Sequence, residues 1–111
     1  MFYILKDKEI VQVTDVLEWA NWMQPAPGSN WEDHPRFLKK TKTKGLLVST
    51  VFIGISVSDQ PIQLFETMVY DVDQLYHKKF ISPCIRKNTY DEAITSHQFM
   101  IDLIDHMVSK D

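Results

Sequence analysis

The chain has 111 residues, of which 44% are hydrophobic and 24% are charged, and its formal net charge is -3. The length favours a single domain over 1–111, and the composition is typical of a folded globular protein, not of a disordered one. A lone cysteine, Cys84, excludes an internal disulfide framework and a cysteine-rich zinc site. The apolar runs are too short to cross a bilayer, and charges close to the N-terminus argue against a signal peptide. We therefore expect a cytoplasmic protein with no membrane partner.

The N-terminal residues predict a β-hairpin followed by a short helix. Two runs rich in β-branched and aromatic residues, 2–5 and 10–13, flank a polar turn at 6–9. Asp15 and Glu18 then have the spacing of a capping box, which predicts the start of a helix. Helical spacing places Val16, Ala20 and Met23 on one face with Leu17 beside them, and Trp19 and Trp22 form a second, flanking pair.

The segment from about residue 25 to residue 44 has neither a helical nor a strand period, and we expect an irregular loop there. Its aromatic rings can stack on a base, and its basic groups can neutralise phosphate. We expect a ligand site formed by Trp31, Arg36, Phe37, Lys39, Lys40 and Lys42. In the alternative interpretation, these lysines are only solvated and keep an edge strand from aggregating.

The distribution of charge limits which partner fits this segment. Five of the twelve basic residues lie between 36 and 44 and four lie between 78 and 87, whereas the segment from Thr89 onward is acidic. A mildly acidic protein with such a limited basic patch is unsuited to an extended nucleic acid. We expect a small anionic, nucleotide-like ligand or the acidic surface of a host protein.

Two apolar runs, 46–55 and 62–70, predict an antiparallel hairpin around a polar turn at 56–61. A symmetric register pairs Thr50 with Thr67, Phe52 with Phe65, and Val51 with Glu66. Both faces of such a sheet are largely apolar. We therefore expect both faces to be covered, by helices or by a partner subunit in a homo-oligomer.

The C-terminal part predicts a short strand at 84–86 and then a long amphipathic helix. Thr89 and Glu92 have capping-box spacing, and apolar residues recur at helical intervals as far as Val108. The expected fold class is α+β. It comprises an antiparallel sheet of about four strands, the long C-terminal helix packed on one face, and the short helix after the first hairpin.

Three polar residues within apolar segments form a possible polar site: Ser49, Glu66 and His97. A histidine in an apolar stripe can act as a general base, and a buried carboxylate needs a partner. In the structural interpretation, His97 is a core residue with satisfied hydrogen bonds and Glu66 lies at the edge of the core. The chain has no motif for catalysis, phosphate binding or metal binding, so we assign no catalytic residue, no metal and no cofactor.

Three segments resemble a group of small, functionally uncharacterised phage and prophage proteins. Strands of that group read roughly S-T-V-F-L-G and L-F-E-T-M-V-F, and its closing helix begins T-x-x-E-A and contains a histidine. The matching residues here are 48–54, 64–70 and 89–93 with His97, and an opening strand at 3–5 and a helix at 17–20 complete the likeness. The resemblance covers about half the positions and nearly all the elements. It departs at Ile55-Ser56-Val57, where the group often has Asp-His, so no role of that histidine is carried over.

The resemblance implies a phage origin and a location in the host cytoplasm. We expect a non-enzymatic binder that inhibits a host process, for example an antiviral defence, by blocking a host protein or sequestering a nucleotide-like ligand. One alternative is a small hydrolase or nucleotide-modifying enzyme that uses Glu66 and His97. Another is a virion or assembly component.

Overall fold

Seven strands and two helices form the part of the chain that this computed structural model describes, residues 1–30, 33–56, 63–71, 79–80 and 85–108. The elements are β1 (Phe2–Lys6), β2 (Glu9–Val13), α1 (Val16–Met23), β3 (Phe37–Thr43), β4 (Leu46–Phe52), β5 (Phe65–Asp71), β6 (Lys79–Phe80), β7 (Ile85–Lys87) and α2 (Tyr90–Val108). An antiparallel sheet carries α2 on one face, and α1 follows the first hairpin, so the predicted α+β fold is confirmed. Within these ranges no helix is long and apolar enough to cross a membrane.

The N-terminal hairpin and α1 form where the sequence predicts them. Strands β1 and β2 are antiparallel, and both residues of their turn, Asp7 and Lys8, have positive φ, as a type I′ turn requires. Asp15 caps α1, because its carboxylate accepts a hydrogen bond of 2.9 Å from the backbone N–H of Leu17.

The apolar face of α1 is exposed at its N-terminal end and half-buried at Ala20 and Met23. Val16 and Leu17 are 49% and 69% exposed. The tryptophans make the ring contacts instead: the centroid of Trp19 lies 5.0 Å from that of Phe2, and the centroid of Trp22 lies 5.7 Å from that of Phe52. An eight-residue helix beside a hairpin is thus anchored by its two largest aromatic side chains, not by a full apolar stripe.

The central sheet has the order β3-β4-β5, and β6 and β7 both pair with the remaining edge of β5. The register of β4 and β5 is the predicted one. It pairs Thr50 with Thr67, Phe52 with Phe65, and Val51 with Glu66. The predicted short strand near residue 85 is also present as β7, while Cys84 lies outside the described residues.

The predicted irregular loop at about 25–44 is wrong over residues 37–43, because these residues form β3 and pair with β4. The two strands are joined by Lys44 and Gly45, whose φ values of 54° and 79° are those of a type I′ turn. Threonine and lysine alternate over 41–44, and this period of two is the strand signal that the prediction missed. Within the described residues, the irregular segment therefore ends before Phe37.

Helix α2 packs on the face of the sheet that contains Thr50 and Thr67. Its N-terminus is capped as predicted, since the N–H of Glu92 donates to Oγ1 of Thr89 over 3.2 Å. The buried core under the helix comprises Val48, Thr50, Phe52, Leu64, Phe65, Thr67, Val69, Ala93, Ser96, His97, Met100 and Ile104. A polar group thus lies in the middle of an apolar layer, and its hydrogen bonds are described below.

The opposite face of the sheet carries Leu47, Ser49, Val51, Glu66 and Met68. Leu47 is buried, and the others are half-buried. Helix α2 packs on the other face and α1 packs against the N-terminal hairpin, so neither described helix covers this side. The partner subunit expected here stays a prediction.

Candidate binding groove and buried polar network

Several of the predicted ligand residues meet at one groove beside β3. Its volume is about 250 Å³, and its described lining is Asp33, Phe37, Leu38, Lys39, Lys40 and Ser49. The groove lies where the register of β3 shifts between Phe37 and Lys39. Its lining residues therefore include one aromatic residue, two lysines, one serine and one aspartate. Of the other predicted residues, Trp31 lies outside the described residues and Lys42 is not part of this lining.

Arg36 lies next to the groove and supplies further positive charge. Its guanidinium carbon lies 4.5 Å from the centroid of the Phe37 ring, a cation–π contact. The Nε atom of Arg36 is buried and has no hydrogen-bond acceptor among the described residues. A buried N–H without an acceptor is uncommon in folded proteins and marks a place where an anionic or carbonyl group would be stabilised.

His34 ties this segment to α1. Its Nδ1 accepts a hydrogen bond of 3.1 Å from the backbone N–H of Arg36, and its Nε2 is hydrogen-bonded to the backbone carbonyl of Trp22. Since Nδ1 accepts and a carbonyl oxygen can only accept, Nε2 is the ring nitrogen that donates. The rings of His34 and Trp22 also meet edge to face, with centroids 4.8 Å apart. The residues that precede β3 are thereby held against the helix.

The lysines of β3 point to both faces of the sheet. Lys39 pairs with Thr50 and therefore lies on the α2 side, whereas Lys40 pairs with Ser49 and Lys42 pairs with Leu47 on the opposite side. All three lysines are exposed. The basic strand thus presents positive charge above and below its own edge.

His97 is fully buried and forms the centre of a hydrogen-bonded chain. Its Nε2 lies 2.9 Å from Oγ1 of Thr41, and its Nδ1 lies 2.7 Å from Oγ1 of Thr50. The hydroxyl of Thr50 lies a further 2.7 Å from that of Thr67. One helical side chain therefore links β3, β4 and β5. A neutral imidazole has one donor and one acceptor nitrogen, so the direction of donation along this chain follows its tautomer.

Burial and, to a smaller extent, the positive charge of Lys39 together lower the pKa of His97 from 6.5 to about 4. The ring is therefore neutral at pH 7. Its two nitrogens are both occupied by threonine hydroxyls, and none of its surface is exposed. A ring in this state has no access to a substrate, which agrees with the structural interpretation of His97.

The structure does not bring the three residues of the possible polar site together. Glu66 pairs with Val51 and lies on the face opposite to His97, and Ser49 lies on that same opposite face. An oxygen of the Glu66 carboxylate lies 3.4 Å from Nε of Arg86 on β7. The sheet therefore separates Glu66 from His97, and the structure does not place the two side chains in one site.

Four polar residues of these sites were not assigned to any site from the sequence: Asp33, His34, Thr41 and Asp105. Thr41 and Thr43 join β3 to α2, the first through His97 and the second through a hydrogen bond to the carboxylate of Asp105. These links span about half of the chain. Only the alternation of threonine and lysine could have indicated them.

Comparisons with protein-family models, with curated proteins and with solved structures find no match. Among the described residues, no three histidine, cysteine, aspartate or glutamate side chains gather as a metal site.

Proposed function

We propose that this chain is a small non-enzymatic binding protein that holds an anionic, nucleotide-like ligand in the groove beside β3. One observation carries the proposal: Phe37, Lys39, Lys40 and Ser49 line a single groove, although Ser49 comes from a different strand. Arg36 stacks on the ring of Phe37 at the same place. Aromatic stacking combined with phosphate neutralisation is the usual basis of nucleotide binding without a glycine-rich loop.

The carboxylate of Asp33 narrows the class of ligand. It lies in the same lining as the two lysines and offsets part of their charge, so a bare anion gains less there than at a purely basic site. A carboxylate accepts hydrogen bonds from hydroxyl or amino groups. A nucleotide offers such groups on its sugar or base together with a phosphate. Inorganic phosphate has neither a ring to stack on Phe37 nor sugar and base groups to reach Asp33 at the same time, and we expect it to bind more weakly.

A non-enzymatic role is favoured because the two residues that the sequence offered for catalysis, Glu66 and His97, are not part of the described groove lining. His97 is enclosed under α2, and Glu66 is engaged with Arg86 on the opposite face. The resemblance to phage and prophage proteins adds the setting that we propose. The chain would act in the host cytoplasm as an accessory protein that sequesters a nucleotide signal, for example one used in antiviral defence.

The test is isothermal titration calorimetry with a panel of linear and cyclic nucleotides, with inorganic phosphate as the reference anion. We expect Lys39→Ala and Lys40→Ala each to weaken nucleotide binding by about five- to tenfold, or about 1 kcal/mol. Lys42→Ala is the matched control, since Lys42 lies on the same strand and the same face as Lys40 but outside the described lining.

Two results would overturn the proposal. One is the absence of binding heat with every nucleotide of the panel, even when the nucleotide concentration reaches the millimolar range. The other is an equal loss of affinity in all three lysine variants, because this would indicate general charge attraction and not a groove.

A further inference from the structure

The outer edge of β3 carries backbone groups that point away from the sheet. Strand β3 ends the strand order, and β4 is its one partner among the described strands. A type I′ turn at Lys44 and Gly45 makes Thr43 and Leu46 the hydrogen-bonded pair that closes the hairpin. Hydrogen-bonded and non-hydrogen-bonded pairs alternate along an antiparallel ladder. The pair Lys42–Leu47 is therefore non-hydrogen-bonded, and the N–H and C=O of Lys42 are directed outward.

The lysine side chains of β3 determine which charge is favourable on a strand that pairs with its outer edge. Lys39 lies on the α2 side of the sheet and Lys42 lies on the opposite side, and both are exposed. A second copy of β3 added here would set lysine against lysine, which destabilises cross-strand pairs. A strand with acidic side chains on both of its faces would instead gain ion pairs above and below the edge.

We propose that the outer edge of β3 binds an extended, acidic segment of a partner protein as an additional strand of the sheet. Main-chain hydrogen bonds then supply affinity, and the lysines supply the selection for acidic residues. This inference goes beyond the proposed function, because its ligand is a peptide and it uses the peptide groups of the strand instead of the groove.

The geometry also sets the length of the partner segment. The register of β3 against β4 is continuous from Lys39 to Thr43 and shifts at Leu38. A bulge interrupts an added strand as it interrupts the existing one. We therefore expect the partner to pair over these five positions, a span of about 17 Å.

The experiment uses the full chain and a synthetic seven-residue peptide, matched to the length of β3, that carries glutamates on both faces of an extended strand. A second peptide has the same side chains but methylated amide nitrogens on the edge that would face β3. Fluorescence anisotropy at low salt measures both. Binding by the first peptide and about tenfold or greater weakening of the second supports strand addition. Equal binding of the two, or no binding of the first, overturns it.

Variants at Lys42 separate the backbone from the charge. Lys42→Pro removes the outward N–H without removing a ladder bond to β4, because proline is tolerated at the outer edge of a sheet. Lys42→Ala removes the charge and keeps the N–H. We expect the proline variant to lose peptide binding and the alanine variant to weaken it by a few fold. Equal effects of the two variants would contradict the proposal, and if the proline variant does not fold, the methylated peptide still decides.

The same variants separate this proposal from the nucleotide groove. Lys42 is outside the described lining of the groove, so nucleotide binding should be unchanged in Lys42→Ala. If the protein binds the peptide but no nucleotide, strand addition at β3 is supported and nucleotide binding in the groove is refuted. If it binds a nucleotide but not the peptide, the groove is supported and strand addition is refuted.

Discussion

The Nδ1 atom of His97 lies 2.7 Å from Oγ1 of Thr50, and this contact joins the C-terminal helix to the centre of the sheet. The other ring nitrogen contacts Thr41 on the edge strand, so the ring has a partner on each side. A histidine and a threonine in an apolar layer are normally costly to bury. Here each satisfies the other, and the strand that carries the groove is fixed to the helix by the same ring.

The first prediction concerns pH. The pKa of His97 is about 4 in the folded chain and 6.5 for the exposed side chain of the unfolded chain. As the pH falls below 6.5, the unfolded chain therefore binds a proton at His97 while the folded chain does not. The free energy of unfolding should therefore decrease as the pH falls from about 6.5 to about 4, by about 3 kcal/mol in total. Urea unfolding across this range measures the change. His97→Gln should lose this part of the dependence, and parallel curves for the two proteins would contradict it.

The second prediction concerns the hydroxyl of Thr50. Thr50→Val keeps the shape of the side chain but removes the partner of both His97 and Thr67. Since two buried polar groups then lack a hydrogen bond, we expect a loss of about 2–3 kcal/mol in the free energy of unfolding. Thr41→Val should cost less, because its hydrogen bond to His97 is only partly buried. Chemical denaturation of the two variants checks the order, and a larger effect at Thr41 would contradict this account.

The elements that the sequence predicted well are those whose signal is local. The register of β4 and β5 follows from two apolar runs of similar length, and α2 follows from a long helical period that begins at the cap Thr89. Strand β3 was missed because its inward residues, Thr41 and Thr43, are polar and do not produce an apolar alternation. Their partners on α2 are 56 and 62 positions away, so the burial of these hydroxyls depends on the folded arrangement.

The groove was predicted only in part, because some of its residues are neighbours in the sequence and one comes from another strand. Phe37, Lys39 and Lys40 stand together in the sequence, and their composition alone indicated a site. Ser49 joins them only because β4 pairs with β3, and that pairing depends on the turn at Lys44 and Gly45. Glu66 and His97 do not meet because adjacent residues of a strand point to opposite faces. Thr67 lies on the face on which α2 packs, so its neighbour Glu66 lies on the other face.

The third prediction concerns that turn. Lys44 has a φ of 54°, a conformation that is unfavourable for lysine and more favourable for asparagine. Lys44→Asn creates the Asn-Gly pair preferred in type I′ turns, so we expect a gain of about 0.5–1 kcal/mol in the free energy of unfolding. Lys44→Thr should have the opposite sign, since a β-branched side chain is worse at positive φ. Thermal unfolding measures both, and a stabilising threonine would show that the turn does not limit stability.

The fourth prediction uses two glycines with similar backbone conformations. Gly28 and Gly54 have φ values of 82° and 76°, so an alanine at either position costs about 1–2 kcal/mol from the backbone alone. A Cβ at Gly28 meets nothing within 4 Å, whereas a Cβ at Gly54 lies 3.0 Å from Nε1 of Trp19 and 3.1 Å from the carbonyl oxygen of Tyr3. The backbone of Tyr3 is also hydrogen-bonded to Gly54, because the N–H of Tyr3 donates to the carbonyl oxygen of Gly54 over 2.8 Å.

Gly54→Ala should therefore be less stable than Gly28→Ala by a further 1–3 kcal/mol or so, because the hairpin and the indole of Trp19 must move to admit one methyl group. The difference between the two variants isolates the packing at Gly54, since the backbone cost is common to both. Urea unfolding of both proteins at pH 7 measures it. Equal losses in the two variants would mean that Trp19 and the hairpin can move away from the added methyl group without a loss of stability. The ring contact between Trp19 and Phe2 would then not fix the position of α1.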